Sequence, residues 1–170
     1  MSGAGAMPLT SALVSYDPRW PQMYADEAAR LAAVFADRLI ALHHVGSTAV
    51  PGLVAKPEID ILAEVGEGAD TQQWDSPLAD LGYRRGGDLS PDHLFFKRDV
   101  NGVRTHKLHV CTAHHPDAQK VLAFRNLLRA DPAARERYGA FKQKIATDES
   151  LDMKRYLSLK EPFIAAMQRR

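Results

Sequence analysis

Residues 46–60 read Gly46-Ser47-Thr48-Ala49-Val50-Pro51-Gly52-Leu53-Val54-Ala55-Lys56-Pro57-Glu58-Ile59-Asp60. A Gly-Ser turn lets backbone amides and a hydroxyl approach an anion closely, because no bulky side chain intervenes. Val50-Pro51-Gly52 marks an exposed bend, since proline fixes φ and glycine permits positive φ. The stretch runs into Glu58-Ile59-Asp60-Ile61-Leu62-Ala63-Glu64-Val65, where isoleucines and carboxylates alternate. That period of two predicts a strand with one apolar face. The other face carries Glu58 and Asp60, with Cα atoms roughly 6–7 Å apart.

Upstream, Leu39–Val45 is a short apolar run bearing His43 and His44, read as a strand ending at the Gly-Ser turn. Asp17-Pro18 reads as a helix start, and Trp20, Tyr24, Ala28, Leu31 and Phe35 recur at helical spacing. Downstream, a linker or short helix is expected around residues 71–81. Strands are expected at Tyr83–Arg85 and Leu94–Arg98, with a turn at Asn101-Gly102 leading into Arg104–Cys111. In that last strand Leu108 and Val110 face a core, with Lys107 and His109 opposite. The C-terminal third reads as helices opened by His115-Pro116-Asp117 and Asp131-Pro132, then a third capped by Ser150 that Pro162 kinks or breaks. The order helix, mixed strands, helices predicts an α+β domain: a short mixed β-sheet backed by helices.

At 170 residues the chain suits one domain, taken as 15–170 behind a flexible tail at 1–14. Twenty-two Lys plus Arg against 21 Asp plus Glu leave +1, so no global field calls for DNA or RNA. One cysteine, Cys111, excludes an internal disulfide and a Cys-rich zinc site. No apolar run spans a bilayer, and the start lacks the pattern of a signal peptide, so the expected address is the cytoplasm.

Two like charges at Glu58 and Asp60 repel, which a divalent cation relieves. Mg²⁺ takes one or two carboxylates at ~2.1 Å, with water and phosphate oxygens completing its shell. A phosphate-gripping turn leading to paired acids is what metal-assisted phosphoryl or nucleotidyl transfer requires. The expected catalytic and metal set is Glu58, Asp60 and His109, with Mg or Mn as cofactor. His109, on the same strand face as Lys107, is a candidate base or ligand, since a neutral imidazole can take a proton near pH 7 or bind a transition metal. Gly46, Ser47 and Thr48 are expected to hold a nucleoside triphosphate. Lys56 either meets its charge or is solvated. Arg125 and Lys160, among apolar helical neighbours, either pair with the acids or phosphate, or reach water.

His44-Val45-Gly46-Ser47-Thr48-Ala49-Val50-Pro51-Gly52, with Ala55-Lys56-Pro57 and Ile59-Asp60-Ile61, resembles the GrpB family within the nucleotidyltransferase superfamily. Tyr16-Asp17-Pro18-Arg19-Trp20, Thr105-His106-Lys107-Leu108-His109-Val110, Phe124-Arg125, and Tyr156 with Lys160, Phe163 and Ile164 extend the likeness along nearly the whole chain. The resemblance implies a nucleotidyltransferase-like fold and a small-molecule or nucleotide ligand, with transfer of a nucleotidyl group to a small acceptor as the expected activity. Related domains occur fused behind dephospho-CoA kinase, and this chain lacks the Gly-x-x-x-x-Gly-Lys-Ser/Thr loop of such a kinase. The alternative is therefore a non-catalytic or accessory module for a nucleotide or CoA-like ligand.

Overall fold

The strand carrying Glu64 and Asp60 lies inside the sheet, and its alternation explains the layers on either side. The computed structural model describes residues 12–147 and 153–169. In chain order the elements are α1 (Trp20–Phe35), β1 (Leu39–Val45), β2 (Ile59–Val65), α2 (Asp75–Asp80), β3 (Tyr83–Arg85), β4 (His93–Val100), β5 (Val103–Thr112), α3 (Pro116–Ala130), α4 (Pro132–Ala146) and α5 (Met153–Gln168). Among the described residues the strands form one sheet in the order β1-β2-β5-β4-β3. β2 and β5 run parallel, and the other neighbouring pairs are antiparallel. This is the expected mixed sheet backed by helices.

Ile59, Ile61, Ala63 and Val65 of β2 share their buried face with Leu108 and Val110 of β5 and Leu94 and Phe96 of β4. Trp20, Leu31 and Phe35 of α1 cover it, together with Trp74 and with Leu78 of α2. Each fully buried Leu, Ile or Phe contributes about 1.5–3 kcal/mol relative to exposure, so this face dominates the fold's stability. On the opposite face Val45, Leu62 and Cys111 pack against Ala118 of α3. Beyond it Val50, Leu53, Leu128, Ala134, Tyr138 and Met167 join α3, α4 and α5. The hairpin between β4 and β5 turns on Asn101 and Gly102, both at positive φ, which suits the right-handed twist of the strands.

Several boundaries differ from the sequence reading. α1 begins at Trp20, because Asp17 instead caps the preceding turn, accepting from the Arg19 amide at 2.9 Å. The expected tail extends to residue 14, yet Val14 and Ala55 exchange two backbone hydrogen bonds; residues 1–11 lie outside the described residues. α5 runs through Pro162 without breaking, forgoing the bond that an N–H there would make. The Ser150 cap and the side chain of Tyr156 lie outside the described residues. No helix among the described residues is long and apolar enough to cross a membrane.

Candidate functional site

Gly46 leaves β1 at φ 74°, ψ −173°, a conformation that L side chains rarely adopt. Its missing side chain makes room for Asp60: a Cβ there would lie 2.9 Å from Asp60 Cγ. Ser47–Ala49 then form one 3₁₀ turn, closed by Ala49 N–H to Gly46 O at 3.1 Å. The Thr48 hydroxyl turns inward and donates to Glu58 O at 3.1 Å. Its single proton is thereby used, so the His44 Nε2–H at 2.9 Å donates to it. Burial, reinforced by Arg129 and Arg125, pulls His44 down to about 4 and keeps it neutral. Thr48, expected to hold the ligand, is buried, and its side chain locks the turn to the β2 entry. Thr48→Val therefore removes the hydrogen bonds to His44 Nε2 and Glu58 O and is expected to lower unfolding free energy by about 2–3 kcal/mol. Urea unfolding checks this, and a loss under about 0.5 kcal/mol would remove the turn lock from consideration.

Glu58 and Asp60 share one face, as alternation predicts. The parallel register sets Lys107 of β5 beside Asp60. Lys107 Nζ lies 2.8 Å from Glu58 Oε2. Burial opposes the Lys107 charge, but Asp60 and Glu58 outweigh it and hold its pKa above the usual lysine value. Asp60 Oδ1 is shielded from solvent with no hydrogen-bond partner. Burial raises the Asp60 pKa, against the pull of Lys107, Lys160 and Lys142.

Lys142 of α4 enters from the other side. It is buried, and its ammonium donates to Ser47 Oγ at 2.6 Å and to Val54 O at 3.0 Å. Burial pulls its pKa down to about 7, Lys160 and Lys56 adding to the effect and Asp60 opposing it. Half-buried Lys56 is lowered too, by burial and then by its lysine neighbours, against the raising effect of Glu58 and Asp60. Two carboxylates and four ammonium groups thus act on one another electrostatically around Asp60 and Lys142. Lys56 and Lys160, candidate ligand-binding residues in the sequence, lie within electrostatic reach of Asp60 and Lys142. Lys107 and Lys142 were not among the expected site residues.

His109 and Arg125 lie elsewhere. His109 is on the right face but one step along, beside Leu62 rather than Asp60. Its Nδ1 meets His93 Nε2 at 2.9 Å, and His93 Nδ1 meets Asp117 Oδ2 at 2.9 Å. The Asp117 carboxylate accepts from His93 Nδ1–H. Burial, then His93 and Lys107, pull His109 down to about 3. Arg125 Nη1 donates to His44 O at 3.1 Å on the far side of β1, so it meets neither acid. Cys111 is buried and its thiol is pushed up to about 12, mainly by that burial.

A divalent ion needs several hard oxygen ligands. Here the Glu58 carboxylate is engaged by Lys107, and ammonium groups surround the acid pair. No group of three or more His, Cys, Asp or Glu side chains able to hold a metal occurs among the described residues. The groups present do not fit a resident metal centre built on Glu58, Asp60 and His109. They fit an anion.

Three comparisons bear on identity. The chain is 35% identical over 161 residues to UPF0157 protein BH1888 of Halalkalibacterium halodurans, covering 93% of this chain and 80% of the relative. Its fold is similar to the crystal structure of conserved protein GrpB from Enterococcus faecalis, with a TM-score of 0.80 and 31% identity over 92% of this chain and 94% of that one. It is also similar to the Cid1 poly(U) polymerase with Mg and 3′-dATP bound, at a TM-score of 0.51 and 9% identity, over 72% of this chain and 40% of that one. The latter likeness concerns the fold alone, which is nucleotidyltransferase-like. The family model described as GrpB protein matches residues 10–170, and the chain belongs to the GrpB family.

Proposed function

We propose that the Gly46-Ser47 turn and its four lysines bind the polyphosphate of a nucleotide. One observation carries this reading: the buried ammonium of Lys142 is held by neutral oxygens, Ser47 Oγ at 2.6 Å and Val54 O at 3.0 Å, at the Gly46-Ser47 turn. Lys142 is buried with its pKa lowered to about 7, so an anion supplies the charge balance that its surroundings lack. Phosphate oxygens accept charge-assisted hydrogen bonds from lysine ammonium groups, each stronger than a neutral one.

Transfer of a nucleotidyl group to a small acceptor is the second reading, favoured by the bare Asp60 Oδ1. It requires that a nucleotide bring a divalent cation with it, because the protein's own groups do not fit a resident one.

Calorimetry with ATP, CTP, GTP and tripolyphosphate, with and without Mg²⁺ or Mn²⁺, separates these. Binding of nucleotide and tripolyphosphate without metal, weakened at least tenfold in folded Lys142→Met, supports the anion site. Equal affinity in wild type and that variant overturns it. Binding that needs metal and is abolished in Asp60→Ala moves the assignment to nucleotidyl transfer.

A further inference from the structure

On the far side of β1 from Asp60 lies a cavity of about 600 Å³. α1, the outer edge of β1, and the corner where α3 meets α4 enclose it. Arg125, Arg129 and Arg135 line it, and its lining contains no carboxylate. Glu64, behind the wall, is taken up by His43 at 3.0 Å.

The three guanidinium groups are held by neutral oxygens. Arg125 donates to His44 O at 3.1 Å and to Asn126 Oδ1 at 3.0 and 3.1 Å. Arg129 Nε donates to Ala49 O at 2.8 Å, and Arg135 Nη1 to Leu128 O at 3.1 Å. Among the described residues none of the three forms an ion pair with a carboxylate. Their hydrogen bonds go to neutral oxygens, and no carboxylate in the lining offsets their charges. A guanidinium has five N–H donors, so each retains hydrogen-bonding capacity for a guest. Beside them Tyr24 stacks on His44, ring centroids 4.8 Å apart and planes within 9°, giving the cavity a flat aromatic wall.

We propose that this cavity binds a small molecule carrying a phosphate dianion, gripped by Arg125, Arg129 and Arg135 with its organic part against Tyr24. Three fixed guanidiniums match a dianion better than a single carboxylate, and an Arg–phosphate pair forms two parallel hydrogen bonds. The volume falls within the usual range for small-molecule sites. The site goes beyond the lysine cluster and does not depend on it: the Ser47–Ala49 turn stands between them, with Ser47 facing Lys142 and Ala49 facing the arginines.

Calorimetry with phenyl phosphate, inorganic phosphate and succinate tests this on wild type, Arg129→Gln, Arg135→Gln and Lys142→Met. Phenyl phosphate is expected to bind wild type, to weaken at least tenfold in each arginine variant, and to be unchanged in Lys142→Met. No binding to wild type, equal binding of succinate, or loss that follows only Lys142→Met overturns the proposal. Should an arginine variant fail to fold, carbon–proton spectra of wild type decide. Phenyl phosphate must then shift the ring resonances of Tyr24 and His44, and unshifted rings overturn the assignment.

Discussion

Replacing Gly46 with alanine is expected to lower the unfolding free energy by about 2–6 kcal/mol, combining a strained backbone with overpacking. The residue holds φ 74° with ψ near 180°, a region that is costly for any L side chain. The new methyl would also press on the Asp60 side chain, 2.9 Å from Cγ and 3.0 Å from Cβ. Asp60 has little room to yield, since it stands on a central strand beside Lys107. Gly102→Ala provides the control, because its φ is also positive but a Cβ there meets nothing within 4 Å. Its loss should be about 1–2 kcal/mol, from the left-handed backbone alone. Guanidinium unfolding of both variants checks the pair. Equal losses at the two positions would mean that Gly46 does not make room for Asp60.

The second large effect is a rise in stability with pH that belongs to Lys142. Its folded pKa, about 7, lies below the ordinary lysine value because of burial and of Lys160, against the opposing Asp60. Between pH 7 and the ordinary lysine value the unfolded chain therefore binds more protons than the folded one. Stability must climb with pH in that window. The slope approaches about 1.4 kcal/mol per pH unit, so wild type should gain about 2 kcal/mol on Lys142→Met between pH 7.5 and 9.5. The groups facing this ammonium are Ser47, Tyr138, Asp60, Lys56, Lys107 and Lys160. Unfolding curves of both proteins across that window measure the difference, and a flat difference would show that Lys142 is not buried as charge-poor. A bound polyanion favours the ammonium form, so binding at pH 8–9 should take up protons.

The sheet was legible because it depends on local alternation. Ile59 and Ile61 against Glu58 and Asp60, and Leu108 and Val110 against Lys107 and His109, assign faces without any knowledge of neighbours. What a single strand cannot tell is which residue of another strand stands beside it. Only the parallel register pairs Asp60 with Lys107 and Leu62 with His109, so the face of His109 was readable while its distance from the acids was not. Lys142 did leave a signal: it falls four residues after Tyr138 and three before Ile145, on the inner stripe of α4. A lysine in that stripe needs partners inside the protein. Arg125 likewise needed a partner, but nothing local distinguishes a carboxylate from the His44 carbonyl. Pro162 misled because packing overrides one missing hydrogen bond in a 16-residue helix.

The contact between Ser47 and Lys142 joins residues 95 apart along the chain. Closures over such long loops form slowly, and the α4 helix must dock before its ammonium can meet the turn. During folding the central strands can therefore be paired while the binding face is still missing one of its cations. A fluctuation that lifts α4 breaks this contact and also opens the cluster of Leu53, Leu128 and Tyr138. On the proposed reading, an anion bound by Lys142 favours the state in which α4 is seated.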